Sequence, residues 1–222
     1  MKEIILDTET TGLSVKDGHR IVEIGCIELD NLVPTKNIFH CYLNPERKVS
    51  EKAFEVHGYS DQFLSDKKKF FEVADEFLNF IKEKKIVIHN AEFDISHLNN
   101  ELAIAGKPEI KKENTIDTLD LARNKFPGSS ISLDALCKRF RIDNSKREKH
   151  TALIDCDLLA KVYINLLDQK EPKLNFSSTN EGISFLDEGD NSEYCKKVIN
   201  PTLDELKSHA DFLKTHLKKN YF

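Results

Sequence analysis

With 222 residues, 39% of them hydrophobic and 14 of them phenylalanine, the chain can bury one sizeable core plus an appendage, but not two large cores. Its 33 basic and 38 acidic side chains give a net charge of −5, which excludes nucleic-acid binding through a broad basic field. No apolar run approaches the roughly 18 residues of a membrane span, and Met1-Lys2-Glu3 leads straight into an apolar run, so neither a membrane partner nor a secretory or transit signal is expected.

The first predicted strand covers residues 4–7 and runs into Asp7-Thr8-Glu9-Thr10-Thr11-Gly12. In an extended chain Asp7 and Glu9 project from the same face. Two carboxylates held together at the end of a sheet repel each other, and burying one is costly without a compensating cation. Hard oxygen ligands suit Mg²⁺ or Mn²⁺, so the stretch reads either as half of a metal site or as an acidic surface turn. Strands follow over 21–29 and 37–43, with turn chemistry at Gly12, Gly18 and Asn31, and the short links favour antiparallel pairing. From residue 50 the apolar period lengthens. Phe70, Ala74, Phe77, Leu78 and Ile81 recur at helical spacing, and Ile86-Val87-Ile88 is a short apolar strand. Residues 92–105 form a helix ended by Gly106 and Pro108. A strand over 115–118 and helices over 119–125, 133–140 and 152–167 complete this part. Strands first, then helix alternating with strand, imply a mixed sheet covered by helices.

Residues 168–200 are rich in Asn and Ser around the apolar island Ile183-Ser184-Phe185-Leu186 and read as a linker. Behind Pro201, Thr202-Leu203-Asp204-Glu205 has the form of a capping box. Leu203, Leu206, Ala210, Leu213 and Leu217 then mark a narrow apolar seam, which can fold back on its own domain or dock on another chain. The polar linker favours docking. Five scattered cysteines without a Cys-x-x-Cys pair point to buried thiols in a reducing cytosol, not to a disulfide framework or a zinc site.

Two later stretches can complete the site begun by Asp7 and Glu9. Asp94 closes His89-Asn90-Ala91-Glu92-Phe93-Asp94, where an acid can also simply complement a helix dipole. His150-Thr151-Ala152-Leu153-Ile154-Asp155 sets a histidine at the start of a helix and an acid more than a turn inside it. In order, these three stretches resemble the motifs of the DEDDh exonucleases. The segments 56–64, 126–128, 132–137 and 142–147 are similar, more narrowly, to the proofreading epsilon-subunit family of bacterial DNA polymerase III, over roughly residues 3–168.

The resemblance implies an α/β, ribonuclease-H-like fold: a five-stranded mixed sheet flanked by helices. It divides the chain into an exonuclease domain (1–168), a flexible linker (169–200) and a polymerase-docking helix (201–222). It further implies a 3′→5′ exonuclease that uses two divalent ions, Mg²⁺ or Mn²⁺, to release 3′-terminal mononucleotides from mispaired DNA. Asp7 would bridge both ions, Glu9 and Asp155 would complete the site of the water-bearing ion, and Asp94 would serve the second. His150 would be the general base. Asp157 falls outside the five-residue step from His150 and is excluded. Asp7, Glu9, Thr10, Thr11, Gly12, Leu13 and Asp155 would contact the terminal nucleotide, flanked by His57, Asn90 and Phe93. The basic run Lys138, Arg139, Arg141, Lys146, Arg147 and Lys149 would either track phosphates or form an ordinary solvated face.

The implied partners are a single-stranded or frayed DNA 3′ end and the polymerase III alpha subunit, bound through the C-terminal helix. The sliding clamp joins them through residues 171–176, with Leu174 and Phe176 as anchors, although Glu171 stands where the motif has Gln. A tethered enzyme needs little affinity of its own, which accommodates the acidic charge. The expected location is the cytoplasm, at the nucleoid. The alternatives are an RNA-trimming nuclease of the RNase T or oligoribonuclease kind, which lacks such a tail, and a non-catalytic binding module of the same fold.

Overall fold

The computed structural model describes residues 2–145, 147, 149–168 and 201–216; residues 2–168 belong to one compact unit and 201–216 to a second. In the first unit β1 (Lys2–Thr10), β2 (Ile21–Asp30) and β3 (Val33–Tyr42) form an antiparallel meander. β4 (Lys85–Ile88) and β5 (Thr115–Asp117) add in parallel on the other side of β1, giving the order β3-β2-β1-β4-β5. The predicted five-stranded mixed sheet is present, and β1 is its central strand. Helices α1 (Glu51–His57), α2 (Asp61–Leu64) and α3 (Phe70–Ile81) precede β4, α4 (Ala91–Ile104) follows it, and α5 (Thr118–Lys125), α6 (Leu133–Phe140) and α7 (Ala152–Leu166) follow β5.

Alternation along β1 sorts its side chains between two apolar layers. Ile4 and Leu6 pack with Phe70, Ala74 and Phe77 of α3 and Leu98 and Leu102 of α4. Ile5 packs on the opposite face with Leu136 of α6 and Cys156, Leu159 and Val162 of α7.

The boundaries differ from the sequence reading at informative places. β1 continues to Thr10, which pairs with Ile21 after an irregularity between Glu9 and Thr10, so Glu9 lies in the sheet and not in a turn. β3 begins at Val33 because Asn31 and Leu32 both adopt positive φ (50° and 66°), closing a two-residue hairpin turn directly onto it. The helices α1 and α2 went unpredicted. Ser50 Oγ accepts from Ala53 N and Ser60 Oγ accepts from Phe63 N, but Phe54, Val56 and Phe63 stay exposed, so no core-facing period announces either helix.

Where α7 crosses the sheet, the approach is close enough to dictate a glycine. Gly25 pairs with Asp7 across the β1–β2 ladder, and Cys156 Sγ donates to Gly25 O at 3.2 Å. A Cβ on residue 25 would lie 2.6 Å from the carbonyl carbon of Ala152 and 2.8 Å from Ala152 O and Leu153 N. These are backbone atoms and cannot rotate away. Gly25→Ala is therefore expected to destabilise the domain by about 1–3 kcal/mol, seen as a lower denaturant midpoint at unchanged m. Two residues earlier on β2, the buried Glu23 accepts from Ala152 N (2.9 Å) and Tyr59 OH (2.8 Å) and pairs with His40 Nε2 (2.7 Å), which fixes where α7 begins.

The second unit contains α8 (Leu203–His216). Thr202 N and Oγ1 donate to Glu205 Oε2 (2.7 and 3.0 Å), and Glu205 N donates to Thr202 Oγ1 (3.3 Å), forming the capping box read from the sequence. Leu203 and Leu206 of the seam are exposed, as is Phe212. Leu217, the linker over 169–200 and the anchors Leu174 and Phe176 lie outside the described residues. Among the described residues no helix is long and apolar enough to cross a membrane.

Candidate active site

Three chain segments deliver the acids to the C-terminal end of β1. Asp7 and Glu9 share the parity of Ile5 and so face the α7 side, whereas Thr8 faces the α4 side. Thr8 N and Oγ1 both donate to Asp94 Oδ1, at 3.0 and 2.7 Å, and pull this first-turn acid of α4 against β1. The start of α4 is itself held. Asn90 sits at φ 73°, and Asp117 accepts from Asn90 N and Ala91 N (both 3.0 Å) and from Leu119 N (2.8 Å), capping α4 and α5 together. Asp155 lies in the first turn of α7, not deeper, because Thr151 is the cap residue.

The cluster carries more negative charge than its surroundings tolerate. Loss of solvent pushes the Asp7 carboxyl well above the ordinary carboxylate range, and Asp94, Glu9, Asp155 and Glu23 push it further. Glu9 is raised to about 8, first by burial and then by Asp155, Glu23 and Asp94, with Arg147 opposing. Asp94 is raised to about 7 by burial, against the downward pull of its Thr8 hydrogen bonds. Asp155 differs. Burial raises it, but hydrogen bonds from His150 and Arg147 outweigh burial and leave it below the usual value. An oxygen-rich set with unmet negative charge fits a divalent cation. Glu9, His150 and Asp155 each bring a ligand atom within 4.8 Å of the others.

His150 is half-exposed at the opening, its Nδ1 3.5 Å from Asp155 Oδ2 and its backbone N bonded to Val56 O at 3.2 Å. Next to the acids is a cavity of about 470 Å³, lined by Glu9, Thr10, Gly12, Leu13, His57 and Phe93 among others. Its floor is rigid. Thr10 Oγ1 donates to Gly12 O (2.8 Å), the buried Thr11 contacts His19 Nδ1 through its hydroxyl (3.0 Å), and a Cβ at Gly12 would strike the His19 ring at 2.3 Å. Leu13 projects with 82% of its surface exposed, its carbonyl 3.4 Å from His97 Nε2, while the His97 ring lies 4.8 Å from that of Phe93. His57 stacks on Tyr59 at 4.8 Å and accepts from its backbone N–H (3.0 Å). Asp7, Asp94, Asp155, Thr11 and Asn90 are not in the cavity wall, and Asn90 is exposed at its cap position. Asp157 is exposed and pairs with Lys161 (2.7 Å).

The basic run does not act as one surface. Arg139 lies over the Phe126 ring (4.4 Å), Lys149 Nζ donates to Glu55 O (2.7 Å), and Lys146 is outside the described residues. Arg147 turns inward. Its Nε and Nη2 donate to the two oxygens of Asp155 (2.5 and 2.8 Å), its Nη2 also meets His150 Nδ1 (2.8 Å), and its Nη1 reaches Asp134 (2.8 Å). Thr8, Glu23 and Asp117 thus shape the site without a role readable in the sequence, and Arg147, read there only as part of a basic run, does so too. Asp117, the acid that ends β5, carries the one local signal among them.

An exonuclease family model, RNase_T, matches residues 4–163. The chain is 48% identical over 227 residues to the DNA polymerase III subunit epsilon of Rickettsia conorii, covering 100% of this chain and 99% of that one. It is 50% identical over 171 residues to the same subunit of Escherichia coli, covering 73% and 70%. Among solved structures it is similar to exonuclease X in complex with 5′-overhanging duplex DNA, with TM-score 0.60 and 27% identity over 75% of this chain and 92% of that one. The nuclease domain of 3′hExo, a DEDDh member bound to rAMP, shares the fold at TM-score 0.65 and 19% identity, over 76% and 92%.

Proposed function

The chain belongs to the exonuclease family that spans residues 4–163 and, within it, to the DNA polymerase III epsilon subunits, and on that premise we propose how its own residues carry out the work. It is a 3′→5′ exonuclease subunit of DNA polymerase III, it acts on DNA, and it uses divalent metal ions. Asp7, Glu9, Asp94 and Asp155 hold those ions, in our reading two of Mg²⁺ or Mn²⁺. The carrying observation is the convergence of these four carboxylates from β1, α4 and α7, three of them raised in pKa by burial and by one another. When bound, divalent ions neutralise charge at the scissile phosphate and acidify the attacking water.

The remaining steps fall to the protein. His150, at the open side of the cluster, takes the proton from the attacking water. Thr10, Thr11 and Gly12 form the floor under the terminal nucleotide, Leu13 wedges against its neighbour, and His57 and Phe93 flank the base; Asn90 edges the same site. Backbone floor, an apolar wedge and aromatic faces accept any base, as removal of a mispaired nucleotide requires. Exonuclease activity resides in residues 1–168. Residues 169–200 link it to a docking segment, 201–222, whose exposed Leu203 and Leu206 suit an apolar groove on the polymerase alpha subunit. Leu174 and Phe176 engage the sliding clamp. Work at a replication complex places the protein in the cytoplasm, at the nucleoid.

The test is degradation of a 3′-mismatched primer by the purified chain with Mg²⁺ or Mn²⁺. Mononucleotides leave the mispaired end faster than a paired one; absence of divalent-dependent degradation overturns the reading. Deleting 201–222 is expected to abolish co-elution with the alpha subunit at unchanged primer degradation, and retained co-elution refutes the docking assignment.

A further inference from the structure

Arg147 is the feature of the site that its chemistry leaves unexplained. A nuclease that must gather cations around Asp155 has instead placed a fixed cation of its own on both oxygens of that carboxylate, at 2.5 and 2.8 Å. The side chain is only 8% exposed, so it is not a surface residue that wandered in. The same Nη2 meets His150 Nδ1 at 2.8 Å. One guanidinium therefore occupies both oxygens of Asp155 and touches the histidine at once. It also has somewhere to retreat, because Nη1 already pairs with Asp134 (2.8 Å), whose other oxygen accepts from Asn144 Nδ2 (3.0 Å) on the loop that carries Arg147.

We propose that Arg147 is a latch that competes with a divalent ion for Asp155 and would move toward Asp134 when the site is loaded. A cation of the chain's own then sets how readily Asp155 takes up an ion. A bidentate Arg–carboxylate pair is among the stronger polar contacts available, which makes it a real competitor and not a spectator. The proposal rests on the reading of Asp155 as a metal ligand.

The test is calorimetric titration of Mn²⁺ into the full chain after chelator treatment, without DNA. Arg147→Gln removes the competitor and is expected to bind Mn²⁺ at least about tenfold tighter, since even one hydrogen bond to a charged group is worth about a decade in affinity. Arg147→Lys keeps the charge but loses the two-pronged grip, and is expected to tighten binding several-fold as well. If Arg147→Lys stays at the wild-type affinity, Arg147 acts only through its field and the latch is overturned; unchanged or weaker binding by Arg147→Gln overturns it too. An Asp155→Asn control separates the two readings. If it binds Mn²⁺ like the wild type, Asp155 is not a ligand and the site assignment fails together with the latch. If it binds more weakly while neither Arg147 variant tightens, only the latch fails.

Discussion

Asp7→Asn abolishes release of 3′-terminal nucleotides and, in the presence of a chelator, makes the protein more stable than the wild type. The two halves share one cause. Asp7 lies between Glu9 on its own strand, Asp94 on α4 and Asp155 on α7, and all three raise its pKa. Removing one ligand from such a set forfeits several kcal/mol of charge stabilisation in the transition state, so activity should fall by about a thousandfold or more. The stability gain follows from linkage. Asp7, Glu9 and Asp94 have folded-state pKa values above their ordinary ones, with Glu9 moving from 4.5 to about 8 and Asp94 from 3.8 to about 7. Their contribution is complete below the ordinary value and is lost as pH rises through the raised one. Asp155, lowered, contributes in the opposite sense, and the three raised groups outweigh it. Chelated wild type should therefore lose stability from about pH 3.8 up to about pH 8, and Asn at position 7, which cannot ionise, should flatten that slope. Thermal denaturation at pH 5 and pH 8, with EDTA and with Mn²⁺, decides it. Retained activity, or a chelated variant less stable than wild type at pH 8, would sink the assignment.

His150→Gln leaves DNA binding in place but slows hydrolysis by about 10²–10⁴-fold, the usual contribution of a positioned general base. Glutamine keeps a hydrogen-bonding group of similar reach and cannot take the proton. His150 N is tied to Val56 O, so the backbone should hold its position in the variant. The informative readout is the rate–pH profile under single-turnover conditions: the limb that reports the base should vanish, while the primer's Kd stays within twofold. A variant with near wild-type turnover would move the base elsewhere.

The acids that the fold brings together were legible because each sits in a short motif whose geometry is local. A strand places Asp7 and Glu9 on one face whatever surrounds it, and a helix start after a strand carries Asp94 or Asp155 to a sheet edge. The residues that position the chemistry were not legible, since their roles exist only across long separations. Thr8 acts on Asp94 86 residues away, and Glu23 on Ala152 129 residues away. Gly25 reads as an unremarkable strand glycine until α7 lies across it. Arg147 reads as part of a basic surface, phosphate-tracking or merely solvated, because nothing local tells a solvated arginine from one folded inward. The extension of β1 through Glu9 escaped for a related reason: its last pairings depend on β2, not on the apolar run that marks the strand.

The position of β1 at the centre of the sheet has a consequence for how this enzyme can fail. Its backbone is laddered on both sides, to β2 through its length and to β4 over Glu3–Ile5, and it belongs to the part of a fold that opens only when the whole fold opens. Asp7 and Glu9 ride on that strand, unlike catalytic groups carried on a loop that can fray while the scaffold survives. Displacement of these two acids by heat or denaturant should thus follow unfolding of the sheet itself, whereas His150, in the coil ahead of α7, is not held in that way.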